Sequence, residues 1–251
     1  MNRAGLLLVL LAAVVGGAVF AIDPSLDLAI ADYFFSTAKH GFVSGPWLDG
    51  LRTAALFIVT LVAAPAFVAV VMKLVAPQRA MLIPGRAALL MIATLAIGPG
   101  LVSNVILKDH WHRPRPYQVT EFGGPLQFVP WWDPRGKCRS NCSFVAGEPS
   151  GAFWTVAAAS YAPLPWRPAA YATAAAFGIA VGVVRMAAGG HFASDVLFAG
   201  VLTILTIWLV HRAIYRWFGG WLTDDAIERA VAGLVRRPRK PKEPDRPADR
   251  A

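Results

Sequence analysis

Thr53-Ala-Ala-Leu-Phe-Ile-Val-Thr-Leu-Val-Ala-Ala-Pro-Ala-Phe-Val-Ala-Val-Val-Met72 is a run of 20 residues without a charge. As an α-helix it is long enough to cross a hydrocarbon core of about 30 Å. Helix is the state that satisfies every backbone N–H and C=O of a single segment in lipid. A second uncharged run, Ala87 to Leu107, follows after a short basic loop. The rest of the chain agrees: 56% of its 251 residues are hydrophobic and 16% charged, with a mean hydropathy of +0.51, too apolar for an ordinary soluble domain of this size.

Working outward, further apolar segments predict an all-α polytopic membrane domain over residues 1–220. Its six transmembrane helices fall near 6–22, 53–75, 87–107, 149–164, 168–185 and 192–212. Asn2-Arg3 followed by Leu6 to Phe20 and Val19-Phe20-Ala21 also suits a cleavable signal peptide. The remaining topology is the same on either reading. Lys73, Arg79 and Arg86 lie between the second and third spans, and Arg212 and Arg216 follow the sixth, so these ends are expected in the cytoplasm. An even number of spans puts both termini inside and the long segment Lys108–Ser150 outside.

The net charge of +9 does not argue for nucleic acid. Residues 236–251 hold seven Lys or Arg against three acids and supply four of the nine charges. Their proline-rich composition predicts a disordered, solvated cytoplasmic tail. Before it, residues 221–235 read as a short interfacial helix, with Thr223 to cap it and Asp224 and Asp225 in its first turn. Cys138 and Cys142 fall together in the outer segment, where an oxidising compartment permits a disulfide. No further Cys or His stands beside them in a metal-binding pattern, and no metal or other cofactor is expected.

Polar residues at a membrane boundary suggest function by default, and three clusters of them fall on the outer side. Lys108-Asp-His-Trp-His-Arg-Pro-Arg115-Pro116 follows the third span. Arginine forks match phosphate oxygens, and lysine adds a point charge. Snorkelling to headgroups would explain one or two such cations, but not the other clusters. Cys142-Ser-Phe-Val-Ala-Gly147-Glu148-Pro-Ser150-Gly151 runs into the fourth span, where amides at a helix start can cradle an anion. Many helices open on such turns, so this cluster alone is weak. Arg185-Met-Ala-Ala-Gly-Gly190-His191-Phe-Ala-Ser-Asp195 joins the fifth and sixth spans. The spacing of four puts His191 and Asp195 on one helix face, so that Asp195 can accept a hydrogen bond from one ring nitrogen and leave the other as a nucleophile. Most pairs at this spacing are structural; Arg185 beside this one argues for chemistry.

In this order the clusters resemble the type 2 phosphatidic acid phosphatase family, with signatures K-x6-R-P, P-S-G-H and S-R-x5-H-x3-D. The first is complete as Lys108 to Pro116. The third has Val184 for serine, with Arg185, His191 and Asp195 in register. The likeness takes in most of the chain, including Asp23-Pro-x-Leu-Asp27. The second signature departs from the pattern. Aligning Ser143-Phe144 with the family's S-F puts Glu148 at the histidine. The literal Pro149-Ser150-Gly151 puts Ala152 there, deeper in the helix.

The resemblance implies a membrane lipid phosphatase with its active site at the periplasmic boundary of a bacterial inner membrane. His191 is the expected nucleophile and forms a phosphohistidine, Asp195 is its partner, and Lys108, Arg115, Arg185 and the Gly147 amide bind phosphate. Glu148 inherits the acid position, a role that requires a raised pKa, which burial favours and adjacent cations oppose. The expected substrate is a phosphate monoester or diphosphate of a lipid, of the lipid A, undecaprenyl pyrophosphate or phosphatidylglycerol phosphate type, with lipid A ranked first. The bilayer is the other expected partner. A non-catalytic lipid-phosphate binder or transporter, or a phosphotransferase, is the alternative that the replaced histidine leaves open.

Overall fold

A computed structural model describes residues 3–235; the tail at 236–251 lies outside the described residues. Among the described residues the regular structure is helical apart from one hairpin of two-residue strands, and residues 111–146 are mostly turns and irregular loop. In order the elements are α1 (Arg3–Ile22), α2 (Ser25–Asp32), β1 (Phe35–Ser36), β2 (Gly41–Phe42), α3 (Pro46–Val75), α4 (Gly85–Leu95), α5 (Lys108–His110), α6 (Gly147–Ala159), α7 (Arg167–Ala187), α8 (Ala193–Arg212) and α9 (Asp224–Gly233). Between α4 and α5 the winding widens to a π-helix over Ala96–Leu107. Pro99 lies in this stretch, where its missing N–H breaks the usual ladder. The Asn104 side chain donates to the Pro99 carbonyl at 2.7 Å and satisfies it.

Among the described residues, five stretches are long and apolar enough to cross a membrane: Ala4–Ile22, Pro46–Val75, Gly85–His110, Leu164–Ala187 and Ala193–Trp217. Their outward side chains are apolar, among them Leu8, Leu11, Phe57, Leu61, Val71 and Val105. An exposed apolar belt of this kind requires lipid rather than water around it, so the chain is a multi-pass membrane protein.

The expected fourth span is α6, whose 13 residues rise only about 20 Å. It is enclosed by its neighbours. Phe153 packs across Gly178 of α7 and Gly200 of α8, where a Cβ would strike its ring. Buried Trp154 donates to Thr94 at 2.9 Å, and Ser150 meets Ser103 at 2.9 Å. The polar groups of this central helix therefore find partners inside the bundle rather than in water.

At one end of the bundle lie Lys73, Arg79, Arg86 and α9. Thr223 caps α9 by accepting from the Ala226 amide at 3.1 Å. Lys73, 6% exposed, donates to Glu228 at 2.6 Å and to the Arg79 carbonyl at 2.7 Å. Arg86 donates to Gly219 and Leu222 carbonyls. The helix expected over 221–235 is thus pinned to the membrane domain by the Lys73–Glu228 ion pair and by hydrogen bonds from Arg86. The opposite end gathers α2, the hairpin, the starts of α3, α6 and α8, and the segment 111–146.

Candidate active site

All three sequence clusters meet at that opposite end. Lys108 ends the π-helical stretch, Gly147 and Glu148 open α6, Arg185 lies in the last turn of α7, and His191 stands in the five-residue turn before α8. Gly189 makes that turn possible. Its φ of +64° is in the left-handed region that glycine enters freely, and the Phe42 ring packs where a Cβ would be. Arg115 donates to the Gly190 carbonyl at 3.3 Å, and a Cβ on Gly190 would sit 2.6 Å from an Arg185 nitrogen. Both guanidinium groups therefore converge on the residue before His191.

His191 is 2% exposed, and its Nδ1 lies 2.7 Å from the Ser143 carbonyl oxygen. A carbonyl only accepts, so Nδ1 carries the proton and Nε2 keeps the lone pair. Burial, with the Arg115 and Arg185 charges acting in the same sense, pushes the imidazole well below the ordinary histidine value. The expected hydrogen bond to Asp195 is not made, since Oδ2 is 3.9 Å from Nδ1. Asp195 instead accepts from the Ser143 hydroxyl at 2.5 Å, the Phe192 amide at 2.8 Å and Arg113 at 2.5 Å. Four residues along a helix places two side chains on one face, but here the turn rotates the ring toward the nearer backbone acceptor.

Arg113 lies inside the first cluster, between Lys108 and Arg115. It is fully buried and joins two carboxylates, Asp195 and Asp27 of α2, the latter at 2.7 Å. Asp27 also accepts from the Ser194 amide at 2.9 Å and the Ser194 hydroxyl at 2.5 Å. This network fixes α2, the 111–146 segment and α8 beneath His191. The part that α2 plays in it shows in the sequence only as the Asp23-Pro-x-Leu-Asp27 stretch.

Cys138 and Cys142 form a disulfide, with Cα atoms 5.8 Å apart. The small ring lies against the first cluster through Cys138 N–H to the His112 carbonyl at 3.1 Å and Cys142 N–H to the Lys108 carbonyl at 3.0 Å. Inside it, Asn141 accepts from Arg115 through its carbonyl at 2.9 Å and its side chain at 2.8 Å. The ring therefore aims Arg115.

Lys108 donates to Asn104 at 3.1 Å. A Cβ on Gly147 would come 2.9 Å from the Lys108 nitrogen and would overlap the Asn104 oxygen. The backbone of α6 thus approaches the cations at its first residue. Glu148 and, one turn deeper, Ala152 both line the adjoining cavity, but of the two only Glu148 carries a group that meets the cations, as the alignment through Ser143-Phe144 requires. Glu148 does not stand as a free acid. Arg52, a residue the three signatures do not contain, donates to it at 2.7 and 3.2 Å, and Arg185 is 3.6 Å from it. Paired cations favour the carboxylate, the opposite of what an acid needs. The sequence clue to Arg52 is its place directly before the uncharged run Thr53–Met72.

Chemically, the arrangement offers a neutral imidazole with a fixed tautomer beside three cations, enough to hold and polarise a phosphate. Residues 87–218, which carry all three clusters, match the PAP2 superfamily. A protein of Francisella tularensis subsp. novicida named lipid A 4'-phosphatase is 36% identical over 208 residues, spanning 78% of this chain and 90% of that relative. Proteins of the same name from Rhizobium leguminosarum and Rhizobium etli are 38% and 37% identical over 217 residues, spanning 90% and 82% of the relatives. No solved structure matches. With the family's motif residues gathered at one end of a helical membrane bundle and relatives alike over most of their length, the chain belongs to the PAP2 superfamily.

Proposed function

We propose that this protein is a lipid phosphatase that removes a phosphate monoester from a lipid A-type glycolipid at the outer face of a bacterial inner membrane. The observation that carries this reading is the convergence of Lys108, Arg115 and Arg185 around a histidine whose Nδ1 is tied to a carbonyl. The names of the relatives point to the substrate class. The basic loops at the far end of the bundle support a cytoplasmic position for that end, with the site outside.

In this mechanism Nε2 of His191 attacks phosphorus as the bond to the sugar oxygen breaks. The departing oxygen takes a proton from a water that has reached the site, and the phosphoryl group rests on His191. The hydroxide left by that water attacks phosphorus, the P–N bond breaks, and inorganic phosphate leaves with the imidazole restored. The three cations stabilise the charge on the equatorial oxygens, the main demand of such a transition state. Asp195 acts through Ser143 and Arg113 to hold the turn that carries the nucleophile. A cavity of about 230 Å³ adjoins the site. Its lining combines Arg52, Lys108 and Glu148 with Leu56, Val59 and Val181, a mixture suited to a phosphorylated head attached to hydrocarbon.

The test is phosphate release by detergent-purified protein from lipid A, undecaprenyl pyrophosphate, phosphatidic acid and phosphatidylglycerol phosphate. Lipid A is expected to be the best substrate. Release confined to soluble phosphate esters would reject the lipid assignment.

A further inference from the structure

Arg52 lies at the start of α3, away from the three signatures, yet its guanidinium reaches the mouth of the site. Its Nη2 is 2.7 Å from Glu148 Oε1 and its Nε 3.2 Å from Oε2, so both carboxylate oxygens face it. Arg185 approaches the same Oε2 from the other side but stops at 3.6 Å. Arg185 is only 8% exposed, and its Nε has no hydrogen-bond partner. A buried, unpaired guanidinium nitrogen is costly and is normally satisfied by an anion. Glu148 cannot serve both arginines well, because its two oxygens are already directed at Arg52. A phosphate monoester presents three free oxygens and more charge. It can pair with Arg52 and Arg185 together, in fork geometry.

We infer that Arg52 is a fourth phosphate-binding side chain and that Glu148 is an internal stand-in anion, holding Arg52 and Arg185 until the phosphate of the lipid replaces it. The inference rests on the reading of this cluster as a phosphate site. It gives Glu148 a role that suits its pairing: a carboxylate between two cations keeps them from repelling one another in the empty site. It also sets a selectivity rule. A ligand must carry enough charge to displace an intramolecular carboxylate, which disfavours phosphodiesters and favours terminal monoesters. Competition of this kind lowers apparent affinity by the fraction of sites that the stand-in occupies.

The test is equilibrium binding of inorganic phosphate to the full chain in detergent, followed by calorimetry, for wild type, Glu148→Gln and the double variant Arg52→Ala/Glu148→Gln. Glu148→Gln keeps the shape and removes the charge, so it is expected to bind phosphate tighter by about fivefold or more. Adding Arg52→Ala is expected to reverse most of that gain. Equal or weaker binding by Glu148→Gln overturns the stand-in role, and undiminished binding by the double variant overturns the role of Arg52. Thermal unfolding of each protein checks that it is folded, and Glu148→Ala, with the same expectation, replaces Glu148→Gln if that variant is not. Lipid phosphate release is measured in parallel. If the binding pattern holds and no protein hydrolyses any lipid, the phosphatase reading fails while this assignment stands.

Discussion

The Nδ1 atom of His191 sits 2.7 Å from the carbonyl oxygen of Ser143, and the hydroxyl of that same serine lies 2.5 Å from Asp195. Imidazole and carboxylate are therefore coupled through the two polar ends of one residue. Ser143→Ala keeps the carbonyl but leaves one buried carboxylate oxygen short of a donor, a loss of about 1–3 kcal/mol. In the proposed mechanism the lost contact orients the nucleophile rather than the substrate, so kcat should fall by roughly tenfold or more with KM little changed. A rise in KM at constant kcat would show that Ser143 serves binding instead.

Proton linkage at His191 has a definite sign. Its pKa is depressed, chiefly by burial and then by Arg115 and Arg185, so the folded protein holds the ring neutral where an unfolded chain would protonate it near 6.5. The unfolded state then binds more protons, and stability rises with pH across that window. The contribution is complete above about 6.5 and is lost as pH falls toward the folded value. Activity follows the same direction: the acid limb of kcat/KM due to His191 should lie clearly below pH 6.5, and a midpoint at or above 6.5 would contradict a buried neutral nucleophile.

Arg113 holds two carboxylates at once, so removing it leaves Asp27 and Asp195 buried without their shared cation. Arg113→Ala should destabilise the protein by about 3–5 kcal/mol, the usual result of breaking a buried ion pair from one side. Thermal unfolding in detergent measures this. Lysine has a charge but no fork, so Arg113→Lys should recover only part of the loss. Full stability in Arg113→Ala would mean that the network is not what ties α2 to α8.

The disulfide ring aims Arg115 through Asn141. Replacing both cysteines by serine frees a ring so short that its closure is worth only about 2 kcal/mol, but it also releases the acceptor of two Arg115 hydrogen bonds. Steady-state kinetics should show KM for the phosphorylated lipid rising by roughly fivefold or more, with kcat less affected. An unchanged KM would assign the bridge to folding alone.

Much of this arrangement is legible in the sequence because membranes impose simple rules. The uncharged runs Thr53–Met72 and Ala87–Leu107 declare their helices by length, and the ionisable residues beside such runs mark the site by their cost. The short α6 is less plain, since its partners are Ser103, Thr94, Gly178 and Gly200 on three other helices, and no local period announces them. Spacing put His191 and Asp195 on one face and correctly brought them close, but it could not foresee that a serine carbonyl would lie nearer to the imidazole. Asp27 and Arg52 come from helices far along the chain from the motifs. Their contacts, with Arg113 and Glu148, exist only once the bundle has formed.

The central claim, that His191 carries the phosphoryl group of a lipid, is tested most directly by trapping that intermediate. Lipid A labelled with ³²P at its phosphates is mixed with wild type and with His191→Ala, then quenched in alkali, in which phosphohistidine survives. The account predicts acid-labile label on wild-type protein, none on His191→Ala, and at least about a 10³-fold loss of phosphate release in the variant. Phosphate release that continues undiminished without His191, or label found on another side chain, would contradict it.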